Sequence, residues 1–106
     1  MAGMDEQRAA TALSALGHEA RLGIFRLLVR AGREGLNIGD IGRLCGLPPS
    51  TLAHHLGTLV DAGLVLQERE GREVINRADY AAVRGVFDFV EAECCMGVGL
   101  DRGDAA

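Results

Sequence analysis

Residues 37–65 read NIGDIGRLCGLPPSTLAHHLGTLVDAGLV, and the rest of the chain is arranged around this stretch. Ile38 to Cys45 is a short amphipathic segment that runs into Gly46-Leu47-Pro48. Gly46 can take the left-handed conformation that closes a helix. Pro48-Pro49 cannot extend that helix, but proline suits the first turn of the next one. A second helical segment, Pro49 to Ala62, places Leu52, Leu56, Leu59 and Val60 on one stripe. Two short helices joined by a tight turn with glycine form a helix-turn-helix. The other face carries Ser50, Thr51, His54, His55 and Thr58, with Pro49 and Ala53 beside them. Small and planar hydrogen-bonding groups of this kind suit base edges and phosphates in a major groove.

Immediately downstream, Gly63 ends the helix and Leu64 to Arg69 reads LVLQER. Glu70-Gly71 is a turn signal, and Arg72 to Arg77 reads REVINR. This is a two-stranded hairpin over 64–77 with Arg69 and Arg72 at its tip. A helix-turn-helix followed at once by a hairpin is a winged helix, so the expected fold is mainly α with a small β-hairpin. Leu36 is expected in a short strand able to pair with the wing, and Asn37 caps the next helix through its amide oxygen.

Further out, helices are expected over 6–16 and 19–31, in addition to 38–45 and 49–62. Ala9, Ala10, Ala12, Leu13 and Leu16 form the apolar side of the first. Ile24, Phe25, Leu27 and Leu28 sit at core spacing in the second, and His18 reads as a cap or surface group at its start. Asp79 caps a last helix expected over 80–94, with Val83, Val86, Phe87 and Val90 on one stripe and Cys94 continuing it. Residues 97–106 are Gly-rich and polar, and read as a disordered tail. With 106 residues, no repeat and no long linker, the chain reads as one domain, 1–106. A domain this small gains stability from dimerisation.

The bulk properties narrow the function. Hydrophobic residues make up 48% and charged residues 25%, an ordinary globular balance. No apolar run approaches the roughly 18 residues of a membrane span. The N-terminus lacks a secretory pattern, so a cytoplasmic protein with no membrane partner is expected. The net charge is −4, and every basic side chain other than histidine is arginine. From residue 40 to 77, Arg43, Arg69, Arg72 and Arg77 face Asp40, Asp61, Glu68, Glu70 and Glu73, so the sequence shows no basic stripe. DNA binding then has to rest on the motif and on two copies acting together. The three cysteines, Cys45, Cys94 and Cys95, do not describe a disulfide framework. Adjacent Cα atoms lie about 3.8 Å apart, under the roughly 4.4–6.8 Å of ordinary disulfides, so free thiols are expected.

Four segments together carry a family resemblance: ALGHEARLGIFRLLVRAG, LNIGDIGRLCGLPPSTLAHHLGTLVDAGLV, REGREV and DY…VEAECC. Over roughly residues 13–95 the chain resembles the ArsR/SmtB family of winged-helix metal-sensing repressors. The resemblance implies a homodimer formed through the first and last helices, here Leu13, Leu16, Val83, Phe87 and Val90. It also implies operator DNA that is released when an inducer ion binds. The Cys-x-Cys site of the first-described arsenic repressors is replaced by Asn37-Ile38-Gly39. The zinc-sensing site needs histidine on the last helix, which has none here. Cys94-Cys95 is similar to the arsenic-responsive branch with a C-terminal Cys-Cys pair, although the third cysteine of some members is missing. Gly57 stands where the family often has Lys or Arg, whereas His55 matches its usual histidine. Cys45 takes a place usually held by leucine and reads as core packing, with a third-ligand role as the lesser reading.

The resulting expectation is a non-enzymatic repressor. It binds an inverted-repeat operator as a dimer through Pro49, Ser50, Thr51, Ala53, His54, His55, Thr58, Arg69 and Arg72. It is released when trivalent arsenic, as arsenite or methylarsenite, or antimonite binds Cys94 and Cys95, soft ligands for soft centres. The alternative is a thiol-based redox or sulfur-species sensor on the same fold. A thiol enzyme finds no support, since Cys95 and Arg102 form Cys-x6-Arg and no strand-to-helix phosphate loop is present.

Overall fold

The computed structural model describes residues 3–100. Five α-helices and three strands follow in order: α1 (Glu6–Leu16), α2 (Glu19–Ala31), β1 (Leu36–Asn37), α3 (Ile38–Cys45), α4 (Pro49–Asp61), β2 (Val65–Glu70), β3 (Glu73–Ala78) and α5 (Tyr80–Glu91). A single 3-10 turn, Gly32–Glu34, links α2 to β1.

Local chemistry sets the helix starts. Asp5 accepts from the Arg8 N–H at 2.8 Å, Asn37 from the Asp40 N–H at 2.8 Å, and Asp79 from the Ala82 N–H at 3.1 Å. Each satisfies a donor that the first turn leaves free. Gly46, at φ 72°, makes the left-handed stop of α3, and Pro49 opens α4.

The hairpin expected for the wing is part of a three-stranded antiparallel sheet, ordered β1-β3-β2, with Leu36 opposite Asn76 and Asn37 opposite Ile75. The strands run 65–70 and 73–78: Leu64 precedes the pairing and Ala78 belongs to it, opposite Val65. Asn76 is buried at 1% exposure but fully engaged. It donates to the Leu36 carbonyl and accepts from Gln67, which ties all three strands together.

The core gathers Ile24, Phe25 and Leu28 of α2, Ile41 of α3, and Leu52, Leu56 and Leu59 of α4 around Leu64, Val65 and Val86. On α1 the buried stripe is Ala9, Ala12 and Ala15; Ala10 is exposed, and so is Leu13, one of the positions expected at the dimer contact. Small side chains let α1 pack closely on its neighbours, and Leu13 falls outside that contact.

Two expected helix ends also move. α4 ends at Asp61, with Ala62 as its cap. α5 ends at Glu91 and not near Cys94, because Ala92 is extended (ψ 143°) and Glu93 takes φ 63°. Glu91 and Glu93 crowd carboxylates at the negative end of the helix dipole, where the last turn has no basic residue. Cys94 therefore does not continue the stripe of α5. Residues 97–100 have no regular structure, and the rest of the expected tail lies outside the described residues. Among the described residues no helix is long and apolar enough to cross a membrane.

Candidate nucleic-acid interface and thiol pair

α4 stands on the core by Leu52, His55, Leu56 and Leu59. Its first turns present Pro49, Ser50, Thr51, Ala53 and His54 to the exterior, and all five are exposed. Thr58 is half-buried and donates its hydroxyl to the His54 carbonyl at 3.2 Å.

His55 corrects the expected face. It is 7% exposed, turned inward, with its ring centroid 4.9 Å from that of His18. The spacing contains the reason: 52, 55, 56 and 59 are i, i+3, i+4 and i+7, the core stripe itself. Burial first, then the positive charges of His18, Arg21 and His54, lower the pKa of His55.

The wing resolves the charge count. Arg77 donates to Glu68 at 2.6 Å, to Glu70 at 2.7 Å and to the Arg33 carbonyl. These ion pairs raise the Arg77 pKa further, the Glu70 hydrogen bond most strongly. Arg43 pairs with Asp40, and Glu73 accepts from the Asn37 amide at 2.7 Å. Arg69 lies on the opposite face of the hairpin from Glu68 and Glu70, and Arg72 lies beside Gly71 of the turn. Both are exposed and form no ion pair among the described residues. The acids of this region are thus largely engaged, and the two tip arginines are left for another anion.

Beyond α5 the backbone makes successive tight turns. The Cys94 N–H donates to the Glu91 carbonyl at 3.1 Å and the Met96 N–H to the Glu93 carbonyl at 3.2 Å. Cys95, like Glu93, has a left-handed backbone (φ 67°). This arrangement sets the two exposed thiols 3.0 Å apart, sulfur to sulfur. The thiol–thiol hydrogen bond, then slight desolvation, push the Cys94 pKa up. Two soft donors this close can close on one thiophilic atom. Among the described residues no three His, Cys, Asp or Glu side chains gather where a metal ion could be held, so Cys45 does not join the pair within one chain. It lies in the groove between α2 and α3, beside Ile24, Leu27 and Leu47, and burial raises its pKa.

Of the apolar positions expected at a dimer contact, Leu13 is 40% exposed, Phe87 52% and Val90 58%, whereas Leu16 and Val83 are partly buried against the core. α1 and α5, the two helices that carry these residues, pack on each other.

Comparison with known proteins supplies the context. The profile of the family described as helix-turn-helix domain matches residues 16–68. The chain is 37% identical over 68 residues to the HTH-type transcriptional regulator YceK of Bacillus subtilis, covering 64% of this chain and 67% of YceK. It is 38% identical over 60 residues to a Halobacterium salinarum protein named as the arsenical resistance operon repressor ArsR, covering 57% of this chain and 46% of that one. Among solved structures it is similar to an ArsR-like transcriptional regulator from Rhodococcus (TM-score 0.73, 27% identity, 80% and 77% of the two chains). It is also similar to the homodimeric winged helix-turn-helix domain of Mb0332 from Mycobacterium bovis (TM-score 0.66, 27% identity, 88% and 91%).

Proposed function

This chain belongs to the helix-turn-helix family and is a transcriptional regulator of the ArsR type, not an enzyme; we propose that it is a dimeric, cytoplasmic repressor released from its operator by trivalent arsenic. The observation that carries the inducer is the pair of exposed thiols 3.0 Å apart at the end of α5. Thiolates select soft centres, and trivalent arsenic bonds to few sulfurs in a pyramid. Two sulfurs complete methylarsenite, whereas arsenite or antimonite would draw a third from a partner chain. The naming of the Halobacterium relative supports an arsenical inducer.

The homodimeric Mycobacterium neighbour supports a dimer, and in this reading it forms through Leu13, Leu16, Val83, Phe87 and Val90. It sets two α4 helices into successive major grooves of an inverted repeat, about one helical turn apart. Pro49, Ser50, Thr51, Ala53, His54 and Thr58 face the bases and their flanking phosphates. Arg69 and Arg72 reach the backbone or minor groove alongside. Arsenic bound just past α5 alters how that helix packs across the two-fold axis and so the spacing of the α4 pair.

Selection of duplexes from a randomised pool tests the DNA reading. The selected sequences are expected to converge on an inverted repeat. Ser50→Ala and His54→Ala are expected to lose discrimination between the selected and a scrambled duplex. Arg72→Ala weakens both about equally and lowers the salt slope by about 1. A wild type that binds all duplexes alike contradicts it. The exposure of both thiols also favours a second reading, a redox or sulfur-species sensor in which a peroxide or polysulfide oxidises these cysteines and abolishes DNA binding with no metalloid present.

A further inference from the structure

We propose that His18 and Arg21, beside His54, form a seat for one DNA backbone phosphate at the amino end of α2, and that the buried His55 positions that seat against α4. This rests on the DNA-binding reading above and adds residues that the motif does not mark.

All three histidines of the chain meet here. The ring of His55 lies 4.9 Å from His18 and 5.8 Å from His54. The Nδ1 of His18 accepts the Ala20 N–H at 3.2 Å, which caps α2 and leaves the His18 Nε2 as a donor on an exposed ring. Arg21 spends its Nε on the Ala15 carbonyl at 2.7 Å, and its terminal nitrogens make no other hydrogen bond or ion pair among the described residues. The 13-residue α2 adds the positive end of its dipole.

At the centre, the Nδ1 of His55 is enclosed without a hydrogen-bond partner on a side chain more than nine-tenths buried. Enclosed polar atoms are nearly always partnered, so this unpartnered one sets the ring apart from an ordinary core side chain. The charges that act on this ring, from His18, Arg21 and His54, are all basic. Two acids share the neighbourhood: Glu19 in the first turn of α2, and Asp61, which lines a shallow groove with Arg21 and Thr58. In a chain of net charge −4 this cluster of donors stands apart.

The location selects the ligand. His54 lies on the outward face of α4, and the inward-turned His55 beside it packs its ring against that of His18, so the exposed amino end of α2 lies alongside α4. A helix in the major groove has bases before its outward face and sugar-phosphate walls at its flanks. A phosphate, not a base, meets His18 and Arg21.

The test is fluorescence anisotropy of the full chain against the selected duplex and a scrambled duplex across a salt series. His18→Asn keeps a capping side chain, and Arg21→Met keeps bulk without the guanidinium; thermal melts check that each is folded. Both are expected to weaken the two duplexes by the same factor, about three- to tenfold, and Arg21→Met to lower the salt slope by about 1. Glu19→Gln is expected to tighten both. Unchanged binding by folded His18→Asn and Arg21→Met overturns the seat. Loss confined to the selected duplex overturns it in favour of base reading. A wild type that binds neither duplex is a separate result, which removes the DNA-binding reading itself.

Discussion

The Arg77 guanidinium reaches along the hairpin to Glu70 at 2.7 Å while also holding Glu68 and the Arg33 carbonyl. One side chain thereby ties the wing to the turn before β1 and neutralises the two acids that flank Arg69. Arg77→Ala is expected to lower the urea midpoint only slightly, since the carboxylates it pairs with are exposed. It is also expected to weaken operator and scrambled DNA alike, because Glu68 and Glu70 then oppose Arg69 and Arg72. Arg77→Lys restores little, as a lysine cannot fork to two carboxylates and a carbonyl. DNA binding by Arg77→Ala equal to wild type would show that the tip arginines do not depend on this screening.

His55 makes stability depend on pH. Its folded pKa lies below the ordinary 6.5 because burial, and then His18, Arg21 and His54, disfavour the charged ring. Below that pH the unfolded chain binds more protons than the folded one. The stability is therefore complete above about pH 6.5 and declines as pH falls through it toward the lowered folded value. Urea unfolding at pH 7.5 and 5.5 is expected to show this loss in wild type and much less of it in His55→Gln. The same loss in both proteins would place the titration elsewhere.

Phe87 and Val90 are more than half exposed in the single chain, so a charge at 87 should spare the fold. Phe87→Asp is expected to keep its helical circular dichroism and to sediment as a monomer at micromolar concentration. Phe87 has about half its surface left to bury, so losing it from each protomer costs about 1.5–3 kcal/mol in total, enough to weaken the dimer at least about tenfold. A variant that remains dimeric would move the interface off α5.

Much of this was legible in the sequence because short-range rules decide it. The caps at Asn37 and Asp79, the stop at Gly46 and the turn at Gly71 each follow from one or two residues. What escaped depends on long-range register or on which side of an element faces its own chain. Histidine at 55 reads as a groove-facing polar group until it is counted with the stripe 52, 56 and 59. α1 has apolar residues on two sides, and only the fold shows that the alanines face inward while Leu13 is left outside. The role of Arg77 needs the register that sets it beside Glu68 and Glu70. The end of α5 carries no glycine or proline to announce it, and its carboxylates act through the helix dipole.

The arsenic response of the selected-duplex complex tests the central claim most directly. Reduced protein on the fluorescent duplex is titrated with methylarsenite, arsenite and antimonite, and anisotropy reports release. Wild type is expected to dissociate with trivalent arsenicals, a coupling of about 1–3 kcal/mol or more. Release is also expected to need less arsenical as pH rises toward the raised Cys94 pKa, because binding displaces thiol protons. Cys94→Ser and Cys95→Ser are each expected to stay on DNA, while Cys45→Ser responds as wild type does. Normal release by both Cys94→Ser and Cys95→Ser, or a wild type that holds its duplex at saturating arsenical, would contradict the account.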